Sequence, residues 1–187
     1  MTKRINFFKE SIKSIKTSGT ITPSSRFLAK RMLNKIDFSK ADVIVELGPG
    51  NGAITEYILK KLHPKATLIC FEINQNFYNQ LSKIVNNQLI LLNVSGENIL
   101  EELKKLNFKN SNYIISSLPL TIIPEPISSS ILQKSYTSLK ENGVFIQYQY
   151  SLTYYNRLKK VFGDSISLEF ELLNIPPAFV YKCEKTT

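Results

Sequence analysis

The sequence predicts an α/β fold, in which a doubly wound, mainly parallel sheet of seven strands ends in an antiparallel hairpin. From residue 41 onwards, short apolar runs alternate with amphipathic segments, which is typical of parallel strands covered by helices on both faces. The 187 residues, 43% of them apolar and 21% charged, suit one soluble domain with its own core. A glycine-rich loop directly follows the first apolar run, where folds of this kind bind their ligands.

Five strands are predicted to alternate with five helices. The strands cover 42–47, 66–73, 88–94, 113–118 and 143–150, and the helices cover 53–62, 75–85, 99–106, 124–139 and 154–162. Pro124 stands where a helix begins, a position that tolerates its missing N–H. Two further apolar runs, 166–175 and 178–183, are separated by Pro176 and Pro177 and predict the closing hairpin.

The formal charge of +9 is concentrated near the N-terminus. Residues 1–40 carry ten Lys and Arg against two acids, whereas residues 41–187 carry fourteen against thirteen. We therefore expect an N-terminal basic, amphipathic helical extension over 1–40 and a catalytic domain over 41–187. A concentrated basic segment favours a phosphate-bearing partner, either an anionic membrane surface or nucleic acid, although a solvated basic helix would show the same composition.

A helical wheel of the extension predicts an apolar stripe bordered by lysines. The stripe consists of Ile5, Phe8, Ile12 and Ile15, and the flanking lysines, our candidate ligands for lipid phosphates, are Lys9, Lys13 and Lys16. Such a helix can enter the headgroup boundary while its basic side chains reach the phosphates. Packing of the stripe on the core of the domain is the alternative.

Other sequence signals favour a cytoplasmic protein. Cys70 and Cys183 lie in apolar contexts without CxxC spacing, so buried thiols are expected rather than a disulfide or metal ligands. No apolar run approaches the roughly 20 residues that span a bilayer, and the N-terminus has no secretory signal pattern. We expect no metal site.

The strongest motif is Glu46–Gly52 (ELGPGNG), which lies between an apolar strand and a helix. Glycines let the backbone turn sharply and approach a ligand without a Cβ in the way. Glu72 ends the next predicted strand, where a carboxylate can accept hydrogen bonds from both hydroxyls of a ribose. A structural turn and an exposed strand-end acid remain the alternative interpretations.

An acid before G-x-G-x-G, followed by an acid at the end of the second strand, resembles the cofactor signature of class I S-adenosylmethionine (SAM)-dependent methyltransferases, which have Rossmann-like folds. The resemblance implies SAM as cofactor and S-adenosylhomocysteine as product. It places Glu46 near the methionine end and Glu72 on the ribose. The remaining implied cofactor contacts are Gly48, Gly50, Asn51, Gly52, Ile73, Glu97 and Asn98; the last two follow Gly96 where many of these enzymes have G-D-A beside the adenine.

A closer resemblance is to the bacterial phospholipid N-methyltransferases, which methylate phosphatidylethanolamine towards phosphatidylcholine. It is carried in order by 22–28 (TPSSRFL), 46–52, 116–120 (SSLPL) and 174–181 (NIPPAFVY). That family is similar to the rRNA adenine dimethyltransferases, which are the alternative. The adenine enzymes have an N-L-P-aromatic loop whose ring stacks on the flipped base, whereas this loop ends in Leu120. They also carry a C-terminal helical RNA domain, and this chain ends after its hairpin.

The resemblance implies methyl transfer to the amine of phosphatidylethanolamine or a related lipid at the inner face of the cytoplasmic membrane, by a peripheral monomer. The backbone carbonyls of Ser116, Ser117 and Leu118 are candidates for receiving the proton of the amine, together with desolvation or a tyrosine. Tyr181 is our candidate for the headgroup pocket, and Arg26 for the lipid phosphodiester. His63 precedes Pro64 in a turn, and we expect a structural role. A non-catalytic SAM-binding protein is a third interpretation.

Overall fold

The computed structural model describes residues 25–186, in which seven strands alternate with six α-helices and one 3₁₀ turn. The strands are β1 Val43–Leu47, β2 Thr67–Phe71, β3 Leu89–Leu92, β4 Ser111–Ser116, β5 Leu139–Gln149, β6 Ile166–Glu171 and β7 Ala178–Glu184. The helices are α1 Arg26–Leu33, α2 Ala53–Leu59, α3 Gln75–Leu81, α4 Ile99–Lys105, α5 Glu125–Ser138 and α6 Tyr155–Phe162, and the 3₁₀ turn is Gly96–Asn98.

All seven strands form one sheet in the order β3-β2-β1-β4-β5-β7-β6. The first five strands are parallel, and β7 runs antiparallel to both β5 and β6. This confirms the predicted α/β fold with its closing hairpin. The predicted run 166–175 ends as a strand at Glu171, and the chain from 172 to 177 forms the connection to β7.

Apolar side chains cover both faces of the sheet, as expected for a parallel sheet with helices on each side. On one face Val45, Phe145 and Tyr181 pack with apolar side chains of α5 and α6. On the other face Ile44 and Ile146 pack with apolar side chains of α1 and α2. β1, in the middle of the sheet, is buried along its whole length.

α1 belongs to this second layer. Ser25 caps the helix by accepting a hydrogen bond from the Leu28 backbone N–H, which satisfies one of the free donors at a helix start. The helix buries Leu28, Ala29, Met32 and Leu33 against the sheet, and Arg31 forms an ion pair with Glu171 at 3.0 Å. Residues 25–36, which the sequence assigned to the extension, therefore pack with the core. The predicted stripe over residues 5–15 lies outside the described residues.

No helix within residues 25–186 is long and apolar enough to cross a membrane.

Candidate active site

A cleft opens at the carboxyl ends of β1, β2, β3 and β4. It holds about 640 Å³ of space between its walls, part of it open to solvent. Its walls are formed by Gly48, Gly50, Phe71, Glu72, Ile73, Asn74, Phe77, Val94, Ser95, Gly96, Ser117, Leu118 and Pro119. Four of the predicted cofactor residues (Gly48, Gly50, Glu72 and Ile73) and two of the predicted catalytic loop residues (Ser117 and Leu118) thus lie together.

The turn after β1 requires glycine for two reasons. Gly48 has a φ of +69°, a conformation that costs other residues energy. A Cβ on Gly48 would also lie 2.7 Å from Leu118 Cδ2, closer than van der Waals contact allows. The Gly48 N–H donates to the Phe71 carbonyl at 2.9 Å, so the turn is bonded to the end of β2.

Glu72 connects the glycine turn to the chain after β2. Its Oε2 accepts a hydrogen bond from the Gly50 N–H at 3.0 Å, and its Oε1 accepts one from the Asn74 N–H at 2.7 Å. Two backbone donors therefore orient a nearly buried carboxylate at the wall of the cleft. Glu72 thus lies at the cleft, and its contact to a ribose stays a prediction.

Glu46 is fully buried beneath the turn and does not line the cleft. Its Oε2 accepts hydrogen bonds from Thr55 Oγ1 at 2.7 Å and from Cys70 Sγ at 3.4 Å. Its Oε1 has no hydrogen-bond partner among residues 25–186. Burial raises the pKa of Glu46 to about 7, because a charged carboxylate is poorly solvated there.

The wall after β3 comes from Val94, Ser95 and Gly96. The predicted contacts Glu97 and Asn98 do not line the cleft, because the chain turns away into the 3₁₀ turn, where Ser95 Oγ accepts from the Glu97 N–H at 3.2 Å. The Glu97 carbonyl accepts instead from Lys134 Nζ at 2.7 Å.

Two more predicted cofactor residues, Asn51 and Gly52, also lie outside the cleft. The exposed Asn51 side chain accepts from the Ala53 N–H at 3.2 Å. Gly52 has a φ of +85°, and a Cβ there would lie 2.8 Å from Leu81 Cδ2. Both residues therefore shape the turn without reaching the ligand space.

The segment after β4 forms the wall opposite the glycine turn. Ser117 and Leu118 line the cleft, whereas Ser116 is buried and its Oγ accepts from the Leu118 N–H at 3.4 Å. Ser117 Oγ is itself buried and has no hydrogen-bond partner within the described part of the chain. Leu120 is completely buried in the core.

Tyr181 lies in the core of the sheet and does not line the cleft. Its hydroxyl donates to the Ser151 carbonyl at 3.2 Å, its ring lies 6.3 Å from that of Tyr155, and burial raises the pKa of Tyr181 to about 12. A hydroxyl with that pKa is not a base near neutral pH, so the structure gives Tyr181 a packing role.

Arg26 and His63 do not line the cleft. Arg26 is exposed at the start of α1, with its guanidinium 4.9 Å from the centre of the Phe27 ring. Lys9, Lys13 and Lys16 lie outside the described residues. His63 Nδ1 accepts from the Lys65 N–H at 3.2 Å in its turn, which agrees with a structural role.

Sequence reasoning missed several polar and apolar groups. The cleft is also lined by Phe71, Asn74, Phe77, Val94, Ser95 and Pro119. All but Phe77 lie at the end of a strand or within three residues after it, so their position was the available signal. Next to the cleft, Gln147 Nε2 donates to the Leu118 carbonyl at 3.0 Å. Gln147 Oε1, Gln149 Nε2 and the Tyr154 hydroxyl are buried without a hydrogen-bond partner in residues 25–186.

Cys70 and Cys183 are free and buried, as predicted. No group of three or more His, Cys, Asp and Glu side chains in the described range 25–186 is arranged to hold a metal ion.

Comparison with protein families gives a match that covers most of the chain. A family model described as ribosomal RNA adenine dimethylase matches residues 24–166. Among curated proteins, an ornithine lipid N-methyltransferase of Singulisphaera acidiphila is 28% identical over 166 residues, which are 88% of this chain and 86% of that protein. A ribosomal RNA small subunit methyltransferase A of Hydrogenobaculum is 28% identical over 127 residues, 68% of this chain and 47% of that protein. The chain thus spans about half the length of the second relative.

Solved structures share the fold at low identity. An O-methyltransferase from Bacillus cereus in complex with SAH superposes with a TM-score of 0.68 over 95% of this chain and 90% of that one, at 11% identity. A precorrin-6y C5,15-methyltransferase from Geobacter metallireducens superposes with a TM-score of 0.66 over 85% and 88%, at 13% identity.

Proposed function

Since the chain belongs to the ribosomal RNA adenine dimethylase family, whose members are SAM-dependent methyltransferases, we propose that it methylates the amine of a membrane lipid. The substrate class is phosphatidylethanolamine or a related amine lipid such as an ornithine lipid. The reaction takes place at the inner surface of the cytoplasmic membrane, with the protein bound peripherally.

The cofactor is SAM, and the residues of the cleft fit it. Gly48 and Gly50 line the cleft without a Cβ, and Glu72 presents a carboxylate held by two backbone donors. Ile73 and Val94 add apolar walls suited to a flat base. Bound SAM supplies an electrophilic methyl group, and the task of the protein is to align a nucleophile with it and to exclude water.

The main observation in favour of a lipid substrate concerns the loop after β4, which offers the cleft no aromatic ring. A flipped adenine needs a flat side chain on which to stack, and the position that such a ring would occupy in the family loop is Leu120. In this structure Leu120 is completely buried in the core, and the loop offers the cleft Ser117, Leu118 and Pro119. A small aliphatic amine needs no stacking platform, so this wall supports an amine rather than a base.

The extent of the matches supports the same choice. The similarity to the ornithine lipid N-methyltransferase covers 88% of this chain, whereas the similarity to the ribosomal RNA enzyme of Hydrogenobaculum covers 68% of it.

The amine must lose a proton before it can attack, and Glu72 is the only titratable side chain among the described residues that line the cleft. Ser117 lines the cleft, and its buried Oγ has no hydrogen-bond partner in residues 25–186, so we propose that this oxygen accepts a hydrogen bond from the neutral amine and orients its lone pair. Burial of the amine lowers its pKa, because the ammonium form is disfavoured outside water. The proton of the ammonium group passes to water as the amine leaves the solvent, so the neutral amine enters the cleft and no side-chain base is required.

Adenine methylation in ribosomal RNA is the second candidate function. The observation that favours it is the family model itself, which is described as ribosomal RNA adenine dimethylase and matches residues 24–166.

Radiolabelled SAM separates these candidates. The full chain is incubated with label and with vesicles containing phosphatidylethanolamine or ornithine lipid, or with ribosomal RNA, and the lipid and RNA fractions are counted. Label in lipid supports the proposal, and label in RNA alone replaces it with the second candidate. If the chain binds SAM and labels neither, a non-catalytic SAM-binding role replaces both.

A further inference from the structure

Three loops at the same edge of the sheet as the cleft contain no charged residue. They are residues 117–124 after β4, 150–154 after β5 and 172–177 between β6 and β7, and we call them the uncharged rim. These nineteen residues come from a chain in which 21% of residues are charged, so about four charges would be expected by chance. The absence of charged residues from these loops therefore needs a physical explanation.

The sheet order makes the rim continuous. β4, β5, β7 and β6 are neighbours in that order, and the loops all leave the edge of the sheet where the parallel strands end. Residues 117–119 also form a wall of the cleft. The uncharged rim therefore begins at the cleft and extends along the same edge of the sheet.

Large apolar side chains of the rim point into solvent. Nine large hydrophobic residues are exposed in the described range, and six belong to the rim: Ile122, Tyr150, Leu152, Leu172, Leu173 and Ile175. Leu172 is 70% exposed and Ile175 is 80% exposed. A cluster of this kind marks a surface that binds a protein or a membrane.

Positive charge borders the rim. Arg26 and Lys30 are exposed on α1, and Arg157 is exposed in the first turn of α6. The Ser25 N–H donates to Asn174 Oδ1 at 3.2 Å, so the 24 preceding residues join the described chain at the rim. Those residues carry five Lys and Arg and one Glu. Apolar side chains beside basic residues match a bilayer with anionic headgroups.

We propose that the uncharged rim is a membrane-docking surface, which inserts Leu172, Ile175 and their apolar neighbours into the headgroup region of an anionic bilayer. The cleft opens at the same edge of the sheet as the inserted loops, so a lipid amine would reach it while the acyl chains stay in the membrane. This inference rests on the proposed lipid substrate. An RNA partner fits the rim less well, because phosphates are bound by cations and the rim has none.

The test uses the full chain and its L172Q/I175Q variant. Both side chains are exposed and lie outside the cleft, so the melting temperature and SAM affinity should equal those of the wild type. Binding to vesicles of phosphatidylethanolamine and phosphatidylglycerol, measured by co-sedimentation, should weaken about tenfold or more, because insertion of two aliphatic side chains is lost.

Val85→Gln is the matched control. Val85 is 96% exposed and lies in the connection between α3 and β3. Because β3 is the strand farthest from β6 and β7 in the sheet, V85Q should bind vesicles like the wild type. The inference is overturned if L172Q/I175Q binds vesicles like the wild type, or if V85Q weakens binding equally. It is also overturned if only removal of residues 1–24 abolishes binding, or if the chain binds ribosomal RNA but no vesicles.

A dispersed substrate separates this inference from the proposed function. L172Q/I175Q should methylate a short-chain phosphatidylethanolamine, dissolved as monomers, at the wild-type rate. A wild-type chain that binds vesicles through the rim yet methylates no amine lipid would overturn the proposed function and leave the docking surface standing. The docking surface alone would be overturned if the wild type methylates the dispersed lipid and L172Q/I175Q binds vesicles as tightly as the wild type.

Discussion

Replacing Glu72 with alanine tests the cofactor site most directly. In the structure the carboxylate accepts from the Gly50 N–H at 3.0 Å and the Asn74 N–H at 2.7 Å, and it lies at the wall of the cleft. E72A removes the proposed bonds to the ribose and the two bonds through which Glu72 connects the glycine turn to the chain after β2. Hydrogen bonds to a charged group contribute about 1.5–3 kcal/mol each. Water in the mutant cleft replaces part of the lost hydrogen-bond energy. A net loss of about 1.4 kcal/mol of binding free energy is enough to lower the affinity tenfold.

We therefore expect E72A to bind SAM at least about tenfold more weakly by calorimetry. E72Q should also bind weakly, because one carboxylate oxygen becomes an NH₂ group that cannot accept from a backbone N–H. Glu56→Ala is the control, since Glu56 is an exposed acid on α2 and its removal should leave the affinity unchanged. If a folded E72A protein bound SAM like the wild type, the assignment of Glu72 to the ribose would be wrong.

Three further outcomes are expected. G48A should lose SAM affinity in calorimetry, because its new Cβ would lie 2.7 Å from Leu118 Cδ2 at a φ of +69°; equal affinity would contradict the role of this turn. The pKa of Glu46 is raised from 4.5 to about 7, so the protonated side chain stabilises the fold below pH 4.5 and this stabilisation is lost as the pH rises to 7. In E46Q the free energy of unfolding, measured with urea, should therefore fall less between pH 4.5 and 7, by about 3 kcal/mol at most. Parallel pH profiles for E46Q and the wild type would refute this. Deletion of residues 1–18, which carry five basic residues and one acid, should weaken binding to anionic vesicles while SAM binding by calorimetry persists; undiminished pelleting would exclude the segment as an anchor.

The elements and the glycine turn were predictable because their signals are local. Strand periodicity and the Glu46–Gly52 motif need only neighbouring residues, and the structure puts Gly48 and Gly50 at the cleft as expected. Glu72 was predictable for the same reason, since it directly follows the second strand.

The errors concern side chains whose position depends on distant parts of the chain. Glu97 and Asn98 were expected beside the adenine, but β3 ends at Leu92, two residues before its predicted end, and the residues directly after it form the wall instead. Tyr181 pairs with Gln147 in the sheet and packs among core side chains. The position of Tyr181 depends on the pairing of β7 with β5, and no local sequence pattern predicts that pairing.

Docking and deprotonation are linked in this arrangement. Glu72, the only titratable group among the described lining residues, is engaged by the backbone of the glycine turn, so the cleft provides no side chain suited to take the proton of an ammonium group. An amine that enters the cleft from a bilayer surface leaves water, and this lowers its pKa. The uncharged loops 117–124, 150–154 and 172–177 favour that dehydration, because they bring no hydrated charge to the entrance. Contact with the membrane would then supply the substrate and also convert it into its neutral, nucleophilic form.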